Sequence, residues 1–287
     1  MNRTATRPKV LPARTAPARS LLAFAIALVA ALCCAPLTAA AASPDDARAL
    51  AQSLFDRPAG RDLTTVVRME LTEKGRPPRT RELISYRLAK GRGESATLIR
   101  FLEPKDIAGT GLLSVTSADG SNEQSLYLPA MDRVRRIASD RKGGRFVGSD
   151  IYYEDLQERL PSKDRHRLLG KEEIGATTLT VLESVPVDPA ESVYKKRVSL
   201  VDPQTLLVHR IDYFERDEST PTKRWEMLAS KRIQGYWTVT DSRLTDLGTG
   251  HSTRLVVDGV KYDRKLPAQL FTPKALADET LEAEYRP

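Results

Sequence analysis

Histidine and serine side chains are the first candidates for acid–base, metal-binding or nucleophilic chemistry in this sequence. The three histidines, His166, His209 and His251, are far apart, and none lies in an H-x-x-x-H or H-E-x-x-H pattern. The serines lack a G-x-S-x-G elbow, and neither Gly91–Gly93 nor Gly109–Gly111 has the strand, turn and helix context of a phosphate loop. The sequence therefore predicts isolated histidines, no catalytic residue, no metal site and no cofactor.

The densest group of acidic residues is Asp150, Glu154 and Asp155, which has tyrosine neighbours and follows five arginines in the same stretch. Carboxylate oxygens suit hard cations such as Ca²⁺, but this spacing is not that of an EF-hand loop. Three interpretations stay open. The first, and the most common arrangement, is ion pairing within a solvated loop. The others are a cation or acid–base site, and arginines that face lipid headgroups or an acidic partner.

The first 42 residues have the order of a secretory signal peptide. A basic stretch without acidic residues precedes an apolar run from Leu21 to Leu37, and small residues follow from Thr38 to Ala42. An uncleaved membrane anchor is the alternative, because the apolar run approaches the roughly 20 residues that a membrane span needs. The alanine-rich end favours cleavage, and the absence of an Arg-Arg pair from this segment favours general secretion. We therefore expect a signal peptide over 1–42, a single domain over 43–287, and a periplasmic location.

Removal of this leader changes two properties of the chain. Both cysteines, Cys33 and Cys34, belong to the leader, so the mature chain contains none. The whole chain has 45 basic and 38 acidic residues, and the loss of five basic residues leaves a mature net charge of +2. Because nucleic-acid binding needs a clustered positive surface on the folded domain, we expect no nucleic-acid partner.

The mature chain is predicted to begin with one amphipathic helix and to continue as strands. Ser43 is a good N-cap, Pro44 suits the first turn, and apolar residues recur at helical spacing as far as Phe55. Alternating or β-branched runs then predict strands, at 67–71, 83–88, 98–102, 111–116, 124–128, 178–182, 193–201, 206–214, 224–233, 236–240 and 253–262. Consecutive strands without long helices indicate antiparallel pairing, and about ten of them predict a curled sheet.

One stretch, from Met131 to Leu168, breaks this alternation. It is rich in arginine, aspartate and glycine, and its pattern predicts a long irregular excursion with a short helix at 153–159. Long irregular insertions in compact domains are usually functional or mobile.

A block of residues in and before this excursion resembles the outer-membrane lipoprotein-sorting protein family, the LolA-like periplasmic proteins. The block consists of Leu126 to Ala130, Arg133 to Ile137 and Gly148 to Leu156. Its candidate partner-docking residues are Tyr127, Pro129, Arg133, Arg135, Arg136, Gly148, Ser149, Asp150, Tyr153, Glu154 and Asp155. Distal segments such as Val201–Pro203 and Leu270–Pro273 agree, so the resemblance spans about residues 47–276.

This resemblance implies a mainly β (α+β) half-barrel of about ten strands, whose concave face is covered by a few helices and holds acyl chains. It also implies transfer of lipids or lipoproteins toward the outer membrane with transient membrane contact, an RND-type exporter as partner, and no enzymatic activity. We expect the acyl chains to contact apolar strand residues, although the same residue types also fill ordinary cores. These residues are Val67, Met69, Leu71, Tyr86, Leu88, Ile99, Phe101, Leu179, Val181, Ile211, Tyr213, Trp225 and Met227.

Two other functions stay open at this point. One is a non-carrying accessory or scaffold protein that docks on an inner-membrane exporter through the block from Arg133 to Asp155. The other is a hydrolase without a recognisable motif. Binding of a fatty-acid analogue would distinguish a carrier from a scaffold. Ester hydrolysis by the purified protein would indicate the hydrolase.

Overall fold

The structure is a computed structural model, described for residues 43–91 and 93–286. The predicted signal peptide lies outside the described residues. These described residues contain two α-helices, α1 (Pro44–Phe55) and α2 (Pro273–Ala277). The strands are β1 (Asp62–Thr72), β2 (Arg79–Gly91), β3 (Glu94–Glu103), β4 (Gly111–Thr116), β5 (Asn122–Leu128), β6 (Arg133–Arg136), β7 (Asp164–Ile174), β8 (Thr177–Pro186), β9 (Lys196–Val201), β10 (Val208–Phe214), β11 (Lys223–Ile233), β12 (Tyr236–Asp246) and β13 (Ser252–Tyr262).

All strands belong to one antiparallel sheet of 13 strands, in the order β6-β5-β4-β3-β2-β1-β13-β12-β11-β10-β9-β8-β7. The expected mainly antiparallel β fold is confirmed, but the expected count of about ten strands is too low. The strands that sequence reasoning missed entirely are β6 and β7, which form the two edges of the sheet. Edge strands carry charged side chains on exposed faces, so their hydrophobic alternation is weak.

Helix α1 forms as its sequence predicts. The hydroxyl of Ser43 accepts a hydrogen bond from the backbone N–H of Asp45, and the Asp46 carboxylate accepts one from the backbone N–H of Ser43. Its buried residues Ala47 and Ala51 pack against Leu182 and Val201 of the sheet. The helix therefore covers the β7–β9 end of one face of the sheet.

The chain crosses this same face between the two edges of the sheet, where Phe146 and Ile151 pack against it. The chain leaves one edge at β6 and enters the other edge at β7, so residues 137–163 must pass over the sheet. We call residues 137–163 the crossing segment, and the face that it covers the inner face. The crossing segment has little regular structure beyond short 3₁₀ turns such as Glu154–Leu156, where sequence reasoning placed a short helix.

The outer face is closed differently in its two halves. Over β2–β4 it is covered by the C-terminal residues 264–286, which bury Tyr86 and Leu98 beneath Leu270 and Phe271. The fully buried Arg100 guanidinium lies 3.1 Å from Glu282 of this C-terminal segment. Over β7–β13 the outer face instead carries cross-strand ion pairs, such as Arg224–Asp212 and Arg254–Asp241. Among the described residues, no helix has the length and hydropathy to span a membrane.

Candidate functional site

An apolar cavity of about 180 Å³ lies on the inner face under the crossing segment. Strand alternation turns Ile211, Trp225 and Leu244 toward it, because these three residues are paired across β10, β11 and β12. The crossing segment covers part of the cavity with Ile151 and Leu156. The remaining lining residues are Asp155, Tyr213, Ser242, Thr253 and Leu255. The chain therefore leaves part of its inner face unfilled by its own side chains.

The crossing segment is attached to the β1–β4 side of the inner face by apolar packing. The Phe146 ring lies 5.4 Å from the Phe101 ring, and Tyr153 packs edge-on against Phe146 at 6.0 Å. Phe146 and Phe101 are almost completely buried, together with Leu112 of β4. The centre of this attachment is buried apolar area. Two polar contacts from β2 border it: Arg81 donates a hydrogen bond to the Val147 carbonyl, and Arg87 pairs with Glu158 at 2.9 Å.

On the β10–β13 side, buried polar contacts attach the crossing segment. The Lys223 ammonium of β11 lies 3.0 Å from the Asp155 carboxylate and 3.5 Å from the centre of the Tyr152 ring. The Tyr194 hydroxyl donates a hydrogen bond of 2.6 Å to the same carboxylate. Since the Lys223 side chain is only 2 % exposed, this pair lacks the solvent that would otherwise screen it.

A second buried contact holds Asp150 against β13. The Asp150 carboxylate is fully buried and accepts hydrogen bonds from Arg145 (2.9 Å), His251 Nδ1 (2.6 Å) and Thr253 Oγ1 (2.8 Å). The Thr253 hydroxyl thus bonds to the carboxylate and not to the imidazole, so these three groups are not arranged as nucleophile, base and orienting acid. We call the contacts of Asp150 and Asp155 with Lys223, His251, Thr253 and Tyr194, together with the Tyr152 ring over Lys223, the polar clamp.

Burial shifts the pKa values of several groups in the polar clamp. It lowers the pKa of Lys223, although Asp155 acts in the opposite direction. It raises the pKa of Tyr152 to about 12, and burial together with Asp155 raises the pKa of Tyr194 well above its usual value. The tyrosines of the clamp therefore stay protonated under conditions in which exposed tyrosines ionise.

An open, charged cleft of about 910 Å³ lies beside the cavity. On each strand it is lined by the next residue that points to the inner face. On β11 the cleft is lined by Lys223 and the cavity by Trp225, and on β12 the corresponding residues are Asp246 and Leu244. The loops 215–222 and 247–249 form the rest of the cleft with Arg145 and Tyr152. Residues of the polar clamp therefore line both spaces, Asp155 the apolar cavity and Lys223 the polar cleft.

The predicted acyl-contacting residues fall on both faces of the sheet. Tyr86 and Leu88 lie in the outer cluster, and Leu179 and Val181 alternate with the inward-facing Leu182, so their assignment to the inner face is wrong. The error arises because alternation identifies two faces without telling which one is hollow. The other predicted residues lie on the inner face, and they are Val67, Met69, Leu71, Ile99, Phe101, Ile211, Tyr213, Trp225 and Met227.

Among these inner-face residues, only Ile211, Tyr213 and Trp225 line the cavity. Val67, Met69, Leu71, Ile99 and Phe101 form the core that packs against the crossing segment. Sequence reasoning missed Leu244 because it ended β12 at Thr240, and it missed Lys223 and His251 because their partners are distant in sequence. No rule of sequence spacing could predict the contacts of Lys223 with Asp155 and of His251 with Asp150.

The family block divides into an exposed and a buried part. Arg133, Arg135 and Arg136 are exposed on β6, and Arg136 pairs with Glu123 at 2.7 Å. Tyr127 bonds to Asp132, Pro129 lies in the exposed β5–β6 turn, and Gly148 is exposed. In contrast, Ser149, Asp150 and Glu154 are buried, and Tyr153 and Asp155 are partly buried.

This division corrects two expectations. The solvated-loop interpretation of Asp150, Glu154 and Asp155 is wrong, because their partners lie largely on other elements, including His251, Lys223 and Ser192. The expectation that His251 is isolated is also wrong, because its imidazole bonds to the buried Asp150 carboxylate. Within the described residues, no cluster of three or more histidine, cysteine, aspartate or glutamate side chains has the arrangement of a metal site.

Comparison with solved structures identifies the class of protein to which this curled sheet belongs. An outer membrane lipoprotein-sorting protein domain from Vibrio parahaemolyticus is 28 % identical, with a TM-score of 0.77 over 82 % of this chain and 100 % of its own. A DUF1329 family protein from Desulfovibrio piger is 27 % identical, with the same TM-score and coverage. A LolA superfamily protein from Nitrosomonas europaea shares the fold at 17 % identity, with a TM-score of 0.63 over 80 % of this chain and 98 % of its own.

A family model described only as "-like: Uncharacterized protein" matches residues 93–278, which is more than half of the chain. No curated protein matches. The chain therefore belongs to the family that this model describes. It shares its fold with the outer membrane lipoprotein-sorting, DUF1329 and LolA superfamily structures. The resemblance inferred from the sequence block is confirmed.

Proposed function

We propose that this protein is a periplasmic carrier that binds acyl chains of lipids or lipoproteins on its inner face and delivers them toward the outer membrane. The observation that carries this proposal is the unfilled apolar cavity beneath the crossing segment. Ile211, Tyr213 and Trp225 are the acyl-contacting residues retained from the sequence, and Leu244 and Leu255 join them. The lipoprotein-sorting domain among the similar structures supports the same function.

The thermodynamic reason for such a carrier is the cost of exposing an alkyl chain to water. A tail of ~14 methylenes gains about 11 kcal/mol on leaving water, at about 0.8 kcal/mol per CH₂. A molecule of this kind does not cross an aqueous compartment unaided. A sheet with one apolar face provides the necessary shield, since alternate residues supply the apolar and polar surfaces.

The size of the cavity sets a condition on this function. A cavity of about 180 Å³ is close to the roughly 150 Å³ that holds a benzene molecule and below the roughly 300 Å³ of small drug sites. Only the end of an acyl chain therefore fits while the crossing segment is in place. A complete chain requires the crossing segment to move away from β10–β13, where the polar clamp holds it.

Adjacent residues on opposite faces of β12 allow a matched test. Ser242 is buried and lines the cavity, whereas Arg243 is exposed on the outer face. In delipidated protein, Ser242→Phe should fill the cavity and weaken binding of a fluorescent fatty-acid analogue by roughly tenfold or more. Arg243→Phe should bind with the wild-type affinity, in the micromolar range or tighter.

Two results would contradict a carrier. The first is wild-type protein that does not bind the analogue, and the second is equal affinity in both variants. Circular dichroism and urea unfolding establish that each variant is folded. Ser242→Val provides a smaller step in side-chain volume if phenylalanine prevents folding.

Docking on an inner-membrane exporter of the RND type is the second candidate function, and only part of the family block is accessible for it. Arg133 and Arg135 are exposed on edge strand β6 and make no ion pair within the described part of the chain. Arg133→Glu with Arg135→Glu should abolish exporter pull-down and leave fatty-acid binding unchanged. Arg165→Glu, on the exposed opposite edge strand, is the control. Unchanged pull-down by the double variant would contradict docking through β6.

A further inference from the structure

The open cleft beside the cavity has an excess of negative charge. Together, the cleft and the polar clamp contain three basic side chains, which are those of Arg145, Arg216 and Lys223. They contain five carboxylates, which belong to Asp150, Asp155, Glu215, Asp217 and Asp246. The excess stays negative even when His251 carries a proton. A charged group that enters the cleft therefore meets a field that favours a cation over an anion.

Four of these carboxylates already have hydrogen-bond donors. Asp246 accepts a hydrogen bond from Arg145 at 2.6 Å and two more from backbone N–H groups of its own turn. Asp217 accepts hydrogen bonds from backbone N–H groups of the β10–β11 loop. Asp150 and Asp155 are bound within the polar clamp. These groups therefore have the partners that a partly buried carboxylate requires.

The Glu215 carboxylate differs from the other four. Its Oε1 atom is buried and receives no hydrogen bond within the described part of the chain. Its Oε2 atom lies 3.5 Å from the Tyr152 hydroxyl, at the limit of a hydrogen bond. Rotation about the last side-chain bond exchanges the two oxygens, so either can face the cleft. Because a buried acceptor without a donor is costly, Glu215 is the group that a donor from a ligand would stabilise most.

The next residue along the chain carries a positive charge without a partner. Arg216 lines the cleft and is exposed, and its guanidinium makes no ion pair or hydrogen bond with residues 43–91 or 93–286. Adjacent residues of one loop thus offer an unsatisfied carboxylate and an unpaired guanidinium. This arrangement is complementary to a ligand that carries a positive and a negative group close together.

The cleft is close enough to the cavity for one molecule to occupy both. On β11, Lys223 lines the cleft and Trp225 lines the cavity, and two residues of a strand span roughly 7 Å. The cleft volume of about 910 Å³ lies within the range of small-molecule sites. A lipid whose acyl chain ends in the cavity therefore has room for its polar head in the cleft.

We propose that the cleft binds the zwitterionic headgroup of an aminophospholipid, with the primary ammonium at Glu215 and the phosphate at Arg216. This inference rests on the proposed carrier function and names the class of lipid that it carries. A primary ammonium donates hydrogen bonds, which are strong when the acceptor is a carboxylate. A choline headgroup has no N–H to donate, and a glycerol headgroup has no positive charge to offset that of the carboxylates.

Lysophospholipids that share one acyl chain and differ only in headgroup test this assignment. Their displacement of the fluorescent fatty-acid analogue from delipidated protein, below their micelle-forming concentrations, gives their affinities. The ethanolamine compound should bind roughly tenfold more tightly than the choline and glycerol compounds. Equal affinities for the three compounds would overturn the headgroup assignment.

Two substitutions in the cleft should have different effects. Glu215→Gln removes the charge but keeps the shape of the side chain, so it should abolish the preference for ethanolamine. Arg216→Gln should weaken binding of all three compounds by roughly threefold and leave the preference intact, since each compound carries a phosphate. Glu218→Gln is the matched control, because Glu218 is exposed in the same loop and does not line the cleft.

The outcomes distinguish this assignment from the carrier function. Binding of all three compounds without a preference, or a preference that Glu215→Gln retains, overturns the headgroup assignment alone. Absent binding of the fatty-acid analogue and of every lysophospholipid refutes the carrier function and the assignment with it. If circular dichroism shows that Glu215→Gln does not fold, the ranking of the three compounds by the wild-type protein decides.

Discussion

The crossing segment is attached to the inner face in two chemically different ways. Over β3 and β4 it is fixed by the rings of Phe101 and Phe146, which are tilted by 38° to each other and exclude water without directional bonds. Over β10–β13 it is fixed by Asp150 and Asp155, whose carboxylates bond to His251, Thr253 and Lys223. The cavity lies under the second attachment and not under the first.

This difference indicates which part of the crossing segment can move. Opening the apolar attachment exposes buried rings to water with nothing to replace their contacts, whereas charged groups that separate regain hydration. The polar attachment also adjoins the open cleft, so water can solvate its charged groups once they separate. We infer that the β3–β4 side acts as the fixed end of the crossing segment and the polar clamp as the releasable end.

Loss of the Asp155 carboxylate should produce the largest effect on stability. Asp155→Ala leaves the buried Lys223 ammonium without its counter-charge, which should cost about 3–5 kcal/mol in the free energy of unfolding or in local opening of residues 144–157. Urea unfolding and hydrogen exchange measure the two quantities. Asp155→Asn, which keeps an acceptor oxygen, should cost less. A loss below about 1 kcal/mol in the alanine variant would mean that the clamp does not hold the segment.

A conservative change at the apolar attachment should have a smaller effect. Phe146→Leu keeps most of the buried apolar volume, so we expect a loss of roughly 1.5 kcal/mol in the free energy of unfolding. Fatty-acid affinity should stay unchanged, because Phe146 does not line the cavity. A cost equal to that of Asp155→Ala would remove the distinction between the two attachments.

The polar clamp should respond to alkaline pH. Burial raises the pKa of Tyr152 to about 12, so between pH 10 and 12 an unfolded chain loses this proton while the folded chain keeps it. The free energy of unfolding should therefore fall as the pH rises through this range. Tyr152→Phe and Tyr194→Phe should flatten this fall, whereas Phe146→Leu should lower stability equally at every pH. Parallel pH profiles for all variants would contradict this prediction.

The smallest effect is expected at the exposed ion pair of the β6 edge. The Arg136 and Glu123 side chains are 69 % and 64 % exposed, so Glu123→Ala should change the free energy of unfolding by about 0.5 kcal/mol or less. A larger loss would show that solvent-exposed charges contribute to holding β5 and β6 together.

The features of the fold that depend on local pattern could be predicted from the sequence. Helix α1 followed from Ser43 and its apolar stripe, and most strands followed from their alternation. The edge strands β6 and β7 could not be recognised, because exposed strands need no alternating apolar residues. The polar clamp could not be predicted at all. Lys223 and Asp155 are brought together only by the crossing from one sheet edge to the other, which is a property of topology and not of spacing.

The most direct test of acyl-chain binding on the inner face is mass spectrometry of organic extracts from protein purified without detergent. The account predicts molecules with acyl chains in near-stoichiometric amounts from the wild type and from Arg243→Phe, and their loss from Ser242→Phe. Equal amounts of such molecules from both variants, or none from the wild-type protein, would contradict it.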